Sequence, residues 1–206
     1  MTDEIVATPV GKARITWYPA HGKALAVALL GHGSATGVEA PDLQALAQAL
    51  PTKGIVIGLV TQPYRLKENR GAADEASLDA AWTAVWASAA GLGLPVIAGG
   101  RSAGAQVACR TAAPLGARAV LALAYPLLGP GSPRELLATG RPTLVIQGGS
   151  DPFGRPDQFP ALPPDIELVE IPAANHTFGT GRPAPSADSL ARITTATGEW
   201  IDRQLS

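Results

Sequence analysis

The sequence predicts an α/β fold in which helices cover both faces of one mostly parallel β-sheet. Apolar runs of strand length alternate along the chain with longer segments whose apolar residues recur at helical spacing. This alternation favours a parallel sheet, because each helix that connects two parallel strands packs back onto a face of the sheet. The length of 206 residues suits one domain better than two, so we expect residues 1–206 to form a single domain.

The individual elements follow from the same pattern in chain order. Residues 5–8 and 13–18 are expected to form a β-hairpin, because the turn-like residues 9–12 separate two strand patterns. Apolar runs predict further strands at residues 24–30, 54–60, 94–98, 119–124, 144–147 and 166–171. Apolar residues at helical spacing predict helices at residues 41–50, 74–90, 103–112, 133–138 and 187–204. No long insertion that could form a helical lid separates residues 119–124 from residues 144–147.

Composition and charge exclude several classes of function. A formal net charge of −1 provides no long-range field that would attract nucleic acid or anionic lipid. The longest apolar run, residues 24–30, is too short to span a membrane, and the acidic N-terminus lacks the pattern of a signal peptide. The single cysteine excludes an intrachain disulfide and agrees with a reducing compartment. We therefore expect a cytoplasmic protein with no membrane span and no nucleic-acid partner, whose oligomeric state stays open.

The segment Gly100-Arg101-Ser102-Ala103-Gly104 is the most informative motif in the chain. It matches Gly-x-Ser-x-Gly, and it lies between a predicted strand and a predicted helix. In that context the pattern indicates a nucleophile elbow, a strained turn that exposes the serine and requires small residues on both sides. A serine hydroxyl is a weak nucleophile on its own and needs a neighbouring base.

Two residues further along the chain supply the expected partners of Ser102. Asp151 and His176 each lie just past the end of a predicted strand, and His176 is the only histidine after Asp151. The carboxyl ends of parallel strands share one edge of the sheet, so the three side chains are expected to meet there. We expect Ser102 to be the nucleophile, His176 the base and Asp151 the acid that orients the base, with Asp157 as the fallback acid.

The loop Gly31-His32-Gly33-Ser34 follows the predicted strand at residues 24–30. Such a loop can donate one backbone N–H to an oxyanion, beside the N–H of the residue after the nucleophile. The candidate donors are therefore Ser34, or Gly33, together with Ala103. His32 is then expected to brace the loop, and the alternative is a solvated glycine turn with no role in chemistry.

Cofactor and metal sites are not expected. The spacing Gly31-x-Gly33-x-x-x-Gly37 misses the dinucleotide fingerprint by one residue, and no acidic residue ends the strand at residues 54–60. Three separated histidines and one cysteine do not make a metal site. Cys109 lies on the predicted helix after Ser102, and we expect it to be a core residue and not a catalytic one.

Residues 125–127 and 142–154, with the block Gln147-Gly148-Gly149-Ser150-Asp151-Pro152-Phe153-Gly154, resemble the lidless α/β-hydrolases of the KANSL3/Tex30-like group, which are relatives of dienelactone hydrolases. The resemblance implies an α/β-hydrolase fold with the triad Ser102, Asp151 and His176. The family often has Arg before the acid, where this chain has Ser150. It also often has Gly-Asp before the histidine, where this chain has Ala174-Asn175.

Together these features predict a serine hydrolase that cleaves carboxylic ester or related acyl bonds of a small-molecule substrate through an acyl-enzyme. Two alternatives stay open: a thioesterase or peptidase with the same triad, and a non-catalytic binding or scaffold protein that keeps the fold. Arg65 and Arg101 would favour an anionic substrate if they reach it, but Arg101 is equally well suited to a structural cap.

Overall fold

Strands and helices alternate through the computed structural model, which describes residues 1–67, 73–128, 132–181 and 184–206. The strands, numbered in chain order, are β1 Thr2–Thr8, β2 Gly11–Tyr18, β3 Ala26–Gly31, β4 Ile55–Thr61, β5 Val96–Arg101, β6 Ala119–Leu123, β7 Thr143–Gly148 and β8 Ile166–Ile171. The helices are α1 Pro41–Ala49, α2 Pro63–Leu66, α3 Glu75–Ala90, α4 Ala103–Thr111, α5 Arg134–Leu137 and α6 Ala187–Leu205.

The eight strands form one sheet in the order β1-β2-β4-β3-β5-β6-β7-β8. From β4 to β8 every neighbouring pair is parallel, whereas β2 is antiparallel to both β1 and β4. The first two strands are the predicted hairpin, which adds an antiparallel edge to a parallel sheet. The parallel part directs the carboxyl ends of β3 to β8 to a single edge of the sheet.

Two apolar layers separate the sheet from its helices. On one face α1 and α6 pack on the sheet, with Leu43, Leu46 and Trp200 buried against it. On the other face α3 and α4 pack, and Trp82 and Cys109 are buried there. Side chains along β3 alternate between the two layers, which is the period of two expected of a strand that is covered on both faces. Burial raises the pKa of the Cys109 thiol.

The predicted fold class is confirmed, and each predicted strand and helix is present. The ends of the elements move by at most three residues, and β8 keeps its predicted bounds. The largest change within the central strands is in β5, which runs to Arg101 instead of ending at 98. It is longer because Gly99, Gly100 and Arg101 pair in register with β6, so the ladder overrides the low strand propensity of glycine. The short helix α2 and two 3₁₀ turns, Leu50–Lys53 and Pro156–Gln158, were not predicted. They are too short to show a periodic pattern.

Between β6 and β7 the described residues contain only the four-residue helix α5. None of the helices in the described part of the chain combines the length and the apolar character needed to cross a bilayer.

Candidate active site

Three side chains from different parts of the chain meet at the carboxyl edge of the sheet. Ser102 directly follows β5, Asp151 lies in the loop after β7, and His176 lies in the loop after β8. Ser102 Oγ is 3.0 Å from His176 Nε2, and His176 Nδ1 is 2.8 Å from Asp151 Oδ2. The structure therefore brings the three residues named from the sequence into one hydrogen-bonded chain.

Ser102 stands on a turn that is both strained and tightly packed. Its backbone has φ 51° and ψ −120°, a conformation that L residues rarely adopt. A Cβ at Gly100 would lie 2.5 Å from the Gly31 carbonyl oxygen, and a Cβ at Gly104 would lie 2.6 Å from the same carbonyl group. Two glycines are thus required because β3 ends directly against the start of α4.

Asp151 is buried and held by two donors besides His176. Its side chain is 0% exposed. The Phe153 backbone N–H donates to Oδ1 at 2.8 Å, and Gln147 Nε2 donates to Oδ2 at 3.0 Å. With its proton on Nδ1, His176 donates to Asp151, and Nε2 is then the acceptor for the proton of Ser102.

Asp157, the fallback acid, lies elsewhere. Its side chain is 71% exposed and pairs with Arg155 at 3.2 Å. His176 therefore contacts Asp151 and not Asp157 in this structure.

The loop that carries His176 is anchored on both sides of the histidine. Asn175 Oδ1 accepts hydrogen bonds from the backbone N–H groups of Thr177 and Gly179, and the Ser150 N–H donates to the Ala174 carbonyl. The Phe153 ring lies 4.6 Å, centroid to centroid, from the His176 ring. These contacts hold the backbone of the loop and the imidazole ring of His176 in place.

Positive φ angles cluster around this edge. Besides Ser102, the non-glycine residues with positive φ are Ala124, Ala173 and Phe178 among the described residues. Ala124 follows β6, and Ala173 and Phe178 flank the histidine. Such backbone strain is found preferentially at functional sites.

The predicted oxyanion donors lie beside the serine. Gly33, Ser34 and Ala103 all line the same cleft as Ser102 and His176. A Cβ at Gly33 would lie only 3.3 Å from Ser102 Cβ, so the loop after β3 passes directly alongside the serine. Ala103 is the first residue of α4, and N–H groups in the first turn of a helix have no partner within the helix.

His32 ties that loop to the residue that follows β4 through two hydrogen bonds. It is 3% exposed. Its Nδ1 lies 2.8 Å from the Gly33 carbonyl, and its Nε2 accepts a hydrogen bond from the Gln62 N–H at 3.1 Å. This arrangement requires the neutral imidazole with its proton on Nδ1, and burial lowers the pKa of His32 below the usual 6.5.

Both arginines that were considered as substrate contacts are paired with carboxylates. Arg65 lies 3.6 Å from Glu39. Arg101 donates from Nε to Asp42 at 2.9 Å, in an ion pair whose side chains are only 4% and 3% exposed. Its Nη1 and Nη2 donate to Thr36 Oγ1 at 2.9 Å and to the His176 carbonyl at 2.8 Å. The Arg101 side chain is thus almost fully buried among protein partners, and it also borders the cleft beside Ser102.

A cleft of about 430 Å³ opens above Ser102. Its walls combine small and apolar residues with several polar ones. Arg101, Thr36, Phe153 and Thr177 line it together with Ser102, His176 and the oxyanion candidates, and the remaining lining residues are Ala35, Ala73, Glu75, Leu78, Gln106 and Pro126. In the described part of the chain no group of three or more His, Cys, Asp or Glu side chains is arranged to hold a metal ion.

Comparison with known proteins decides the family. A family model described as an alpha/beta hydrolase domain matches residues 24–202, which is most of the chain. The chain belongs to this α/β-hydrolase family. No curated protein sequence matches it.

Solved structures similar to this α/β-hydrolase include other hydrolases. A dienelactone hydrolase from Anabaena variabilis has a TM-score of 0.77 and 22% identity, with 98% of this chain and 96% of that chain covered. A serine hydrolase without a lid from Xanthomonas campestris has a TM-score of 0.75 and 21% identity, with 98% and 94% covered. A thermophilic esterase from Thermogutta terrifontis has a TM-score of 0.75 and 15% identity, with 100% of both chains covered. At these identities the similarity establishes the fold.

Sequence reasoning missed the residues that hold the three central side chains in place. Gln147, Asp42 and Thr36 were not singled out for this role. Asp42 lies in the first turn of α1, where an acidic residue usually only complements the helix dipole. Gln147 stands inside the block that carries the family resemblance, which was the one available signal for it.

Proposed function

We propose that this α/β-hydrolase is a serine hydrolase that cleaves carboxylic ester or related acyl bonds of small molecules. The observation that carries the proposal is the chain of hydrogen bonds from Ser102 through His176 to the buried Asp151, with distances of 3.0 and 2.8 Å. A nucleophile, a base and a group that orients the base are the parts that such a reaction needs.

The proposed reaction has two halves. Ser102 Oγ attacks the substrate carbonyl carbon while His176 Nε2 takes the hydroxyl proton. The tetrahedral intermediate then collapses to an acyl-enzyme as His176 returns that proton to the leaving alcohol. In the second half a water molecule gives its proton to His176 and attacks the acyl-enzyme. Collapse of the second tetrahedral intermediate breaks the bond to Ser102 Oγ, which takes the proton back from His176, and the carboxylic acid is released.

Asp151 and the oxyanion donors act on charge that develops along this path. Asp151 keeps the proton of neutral His176 on Nδ1 and stabilises the imidazolium that forms during attack. The N–H of Ala103, with that of Ser34 or Gly33, is proposed to hold the oxyanion. Each such donor contributes about 3 kcal/mol to lowering the barrier in related chemistry.

The substrate class follows from the cleft. A site of about 430 Å³, whose walls combine small and apolar residues with several polar ones, suits a small acyl substrate. Arg101 is held by Asp42 in a buried ion pair, whereas Arg65 meets the exposed Glu39 at 3.6 Å. The block at residues 142–154 supports placing the chain in the KANSL3/Tex30-like group, beside dienelactone hydrolases.

Replacement of the serine tests the proposal. Ser102→Ala is expected to lower the rate of p-nitrophenyl acetate hydrolysis by about 10⁴-fold or more, because no nucleophile remains. A fluorophosphonate probe is expected to label wild-type protein at Ser102 and to leave the variant unlabelled. The melting temperature should hardly change, because the lost hydroxyl is a small, partly exposed group.

Ser150→Ala is the matched control, since Ser150 is exposed on the loop beside Asp151. It should retain wild-type turnover and labelling. Wild-type turnover in Ser102→Ala would contradict the proposal. A folded wild-type protein that neither reacts with the probe nor cleaves any ester would favour the binding-protein alternative.

A further inference from the structure

The guanidinium of Arg101 joins three segments of the chain. The proposed reaction requires that two of them, the loop of His176 and the loop after β3, keep fixed positions relative to Ser102. Arg101 is the last residue of β5 and directly precedes Ser102. Its three nitrogens reach three separate parts of the chain: Asp42 in α1, Thr36 in the loop after β3, and the backbone carbonyl of His176. A lysine could not replace it in this arrangement, because an ammonium has a single nitrogen and no planar fork.

Fold stability alone does not account for an ion pair at this depth. The side chains of Arg101 and Asp42 are 4% and 3% exposed. Removing two charges from water is costly, and buried ion pairs can often be replaced by apolar side chains of similar size without loss of stability. The hydrogen bonds of Arg101 to Thr36 and to the His176 carbonyl give a more specific reason for an arginine at this position.

Those two contacts reach the backbone of His176 and the loop after β3, which both lie beside Ser102. The hydrogen bond of 2.8 Å ends on the carbonyl oxygen of His176 itself, so it constrains the backbone from which the imidazole projects. The hydrogen bond of 2.9 Å ends on Thr36, in the loop that carries Gly33 and Ser34. A Cβ on Gly33 would lie 3.2 Å from Arg101 Nη1, so the guanidinium also abuts that loop directly.

We propose that Arg101 is a positioning residue. It holds the loop that carries His176, and the loop after β3 that carries Gly33 and Ser34, at their working distance from Ser102. It acts through His176 and the loop after β3, because all three of its nitrogens are hydrogen-bonded to protein groups. This inference rests on the proposed hydrolase function. A displacement of about 1 Å at reacting groups can cost about 100-fold in rate, so the contacts of Arg101 matter even though they are one step removed.

The test replaces both members of the ion pair, so that no buried charge is left without a partner. The double variant Arg101→Met/Asp42→Leu is expected to fold with a melting temperature close to that of wild type. Its kcat for p-nitrophenyl acetate is expected to fall by about 10–100-fold, because a misplacement of reacting groups by about 1 Å can cost about 100-fold in rate. Its KM should stay within about threefold of wild type, because no substrate contact is lost.

The matched control is Arg110→Met/Asp79→Leu. Arg110 donates twice to Asp79, at 3.0 and 2.8 Å, and lies on α4, the helix that directly follows Ser102. This pair touches none of the three central residues in the structure. Arg110 also meets Glu75 at the cleft wall, but at 3.8 Å and with the Glu75 side chain 68% exposed, so removal of the pair should leave kcat within about twofold of wild type. A loss of kcat equal to that of the Arg101 double variant would show that any lost arginine pair slows the enzyme, and would overturn the proposal.

Proton NMR provides a readout that does not depend on turnover. The Nδ1–H of His176, which donates to the buried Asp151, should give a downfield imidazole resonance protected from exchange, assigned by its loss in His176→Gln. We expect this resonance to broaden or vanish in the Arg101 double variant and to persist in the control. A folded double variant with wild-type kcat and an unchanged resonance, or one with raised KM and unchanged kcat, would overturn the proposal. If wild-type protein shows the resonance but cleaves no ester, the proposed function fails while the positioning role is still tested.

Discussion

At the scale of single residues, the acid is buried more deeply than the base. The Asp151 side chain is 0% exposed, and that of His176 is 18% exposed. The carboxylate accepts from His176, Phe153 and Gln147, so three donors compensate its removal from water. A substitution at Asp151 therefore changes the proton position on His176 as well as a charge.

Asp151→Asn is expected to lower kcat by about 10⁴-fold, the loss seen when the orienting acid of such a triad is neutralised. The asparagine amide can donate to His176 Nδ1 and favour the tautomer whose Nε2 cannot accept the serine proton. Steady-state kinetics on p-nitrophenyl acetate measures the loss.

Asp157→Asn is the control, because Asp157 is exposed and pairs only with Arg155 among the residues described. Its turnover should stay within about twofold of wild type. A similar loss in both variants would show that charge near the cleft, and not the orientation of His176, explains the effect.

Single residues also show which parts of the site the sequence could predict. Ser102, Asp151 and His176 were named because each follows a strand in a recognisable order along the chain. The partners of Arg101 could not be named. Asp42 is far away in sequence, and only the packing of α1 beside the end of β5 brings the two together.

At the scale of elements, the end of β3 packs so closely against the start of α4 that the turn around Ser102 requires glycine. A Cβ at Gly104 would lie 2.6 Å from the Gly31 carbonyl carbon, and 2.9 Å from the carbonyl oxygen of His32. These contacts involve backbone, which cannot rotate away as a side chain can. Glycine thus outweighs the better helix propensity of alanine at this position.

Gly104→Ala is expected to destabilise the protein by about 1–3 kcal/mol, the usual cost of overpacking. Gly198→Ala in α6 makes the same chemical change with the opposite expected sign. The new Cβ there meets the flexible end of Lys53, which can move, and alanine gains about 0.5–1 kcal/mol over glycine within a helix.

Urea unfolding of both variants measures the two free energies. Equal effects of the two substitutions would contradict the packing argument at the elbow.

The elements themselves were predictable because most are long enough to show a period. The strands at residues 54–60 and 166–171 and the helix at residues 74–90 carry clear apolar patterns, and the structure places elements there. The extension of β5 to Arg101 arises from pairing with β6, which is not visible in a local window.

At the scale of the whole molecule, the alternation of elements predicted a parallel sheet but not its strand order. The β1–β2 hairpin pairs with β4, which lies outside β3. Such pairings join segments far apart in sequence, and no local period encodes them. The same long-range order brings the loop after β3 beside the loops after β5 and β8, which is where the cleft forms.

Folding keeps His32 neutral, which links global stability to pH. Because burial lowers the pKa of His32 below 6.5, the unfolded chain binds more protons than the folded chain at mildly acidic pH. The stability due to neutral His32 is therefore fully present above pH 6.5 and is lost as the pH falls through that value towards the lower pKa of the folded state. Urea unfolding of wild-type protein at about pH 7.5 and about pH 5.5 should show this fall.

His32→Gln removes the titrating group and should show a smaller fall between the same two pH values. His21→Gln, at an exposed turn, should behave as wild type does. An equal fall in wild type and in His32→Gln would show that the buried imidazole is not responsible.

The burial of Cys109 makes the chain convenient for site-directed labelling. It is the only cysteine in the sequence, and its raised pKa keeps it in the unreactive thiol form inside the layer beneath α3 and α4. A cysteine introduced on the surface, for example at Ser150 beside the cleft, would therefore react with maleimides almost alone. Fluorophores or spin labels can then follow the loops around Ser102 without first altering the native core.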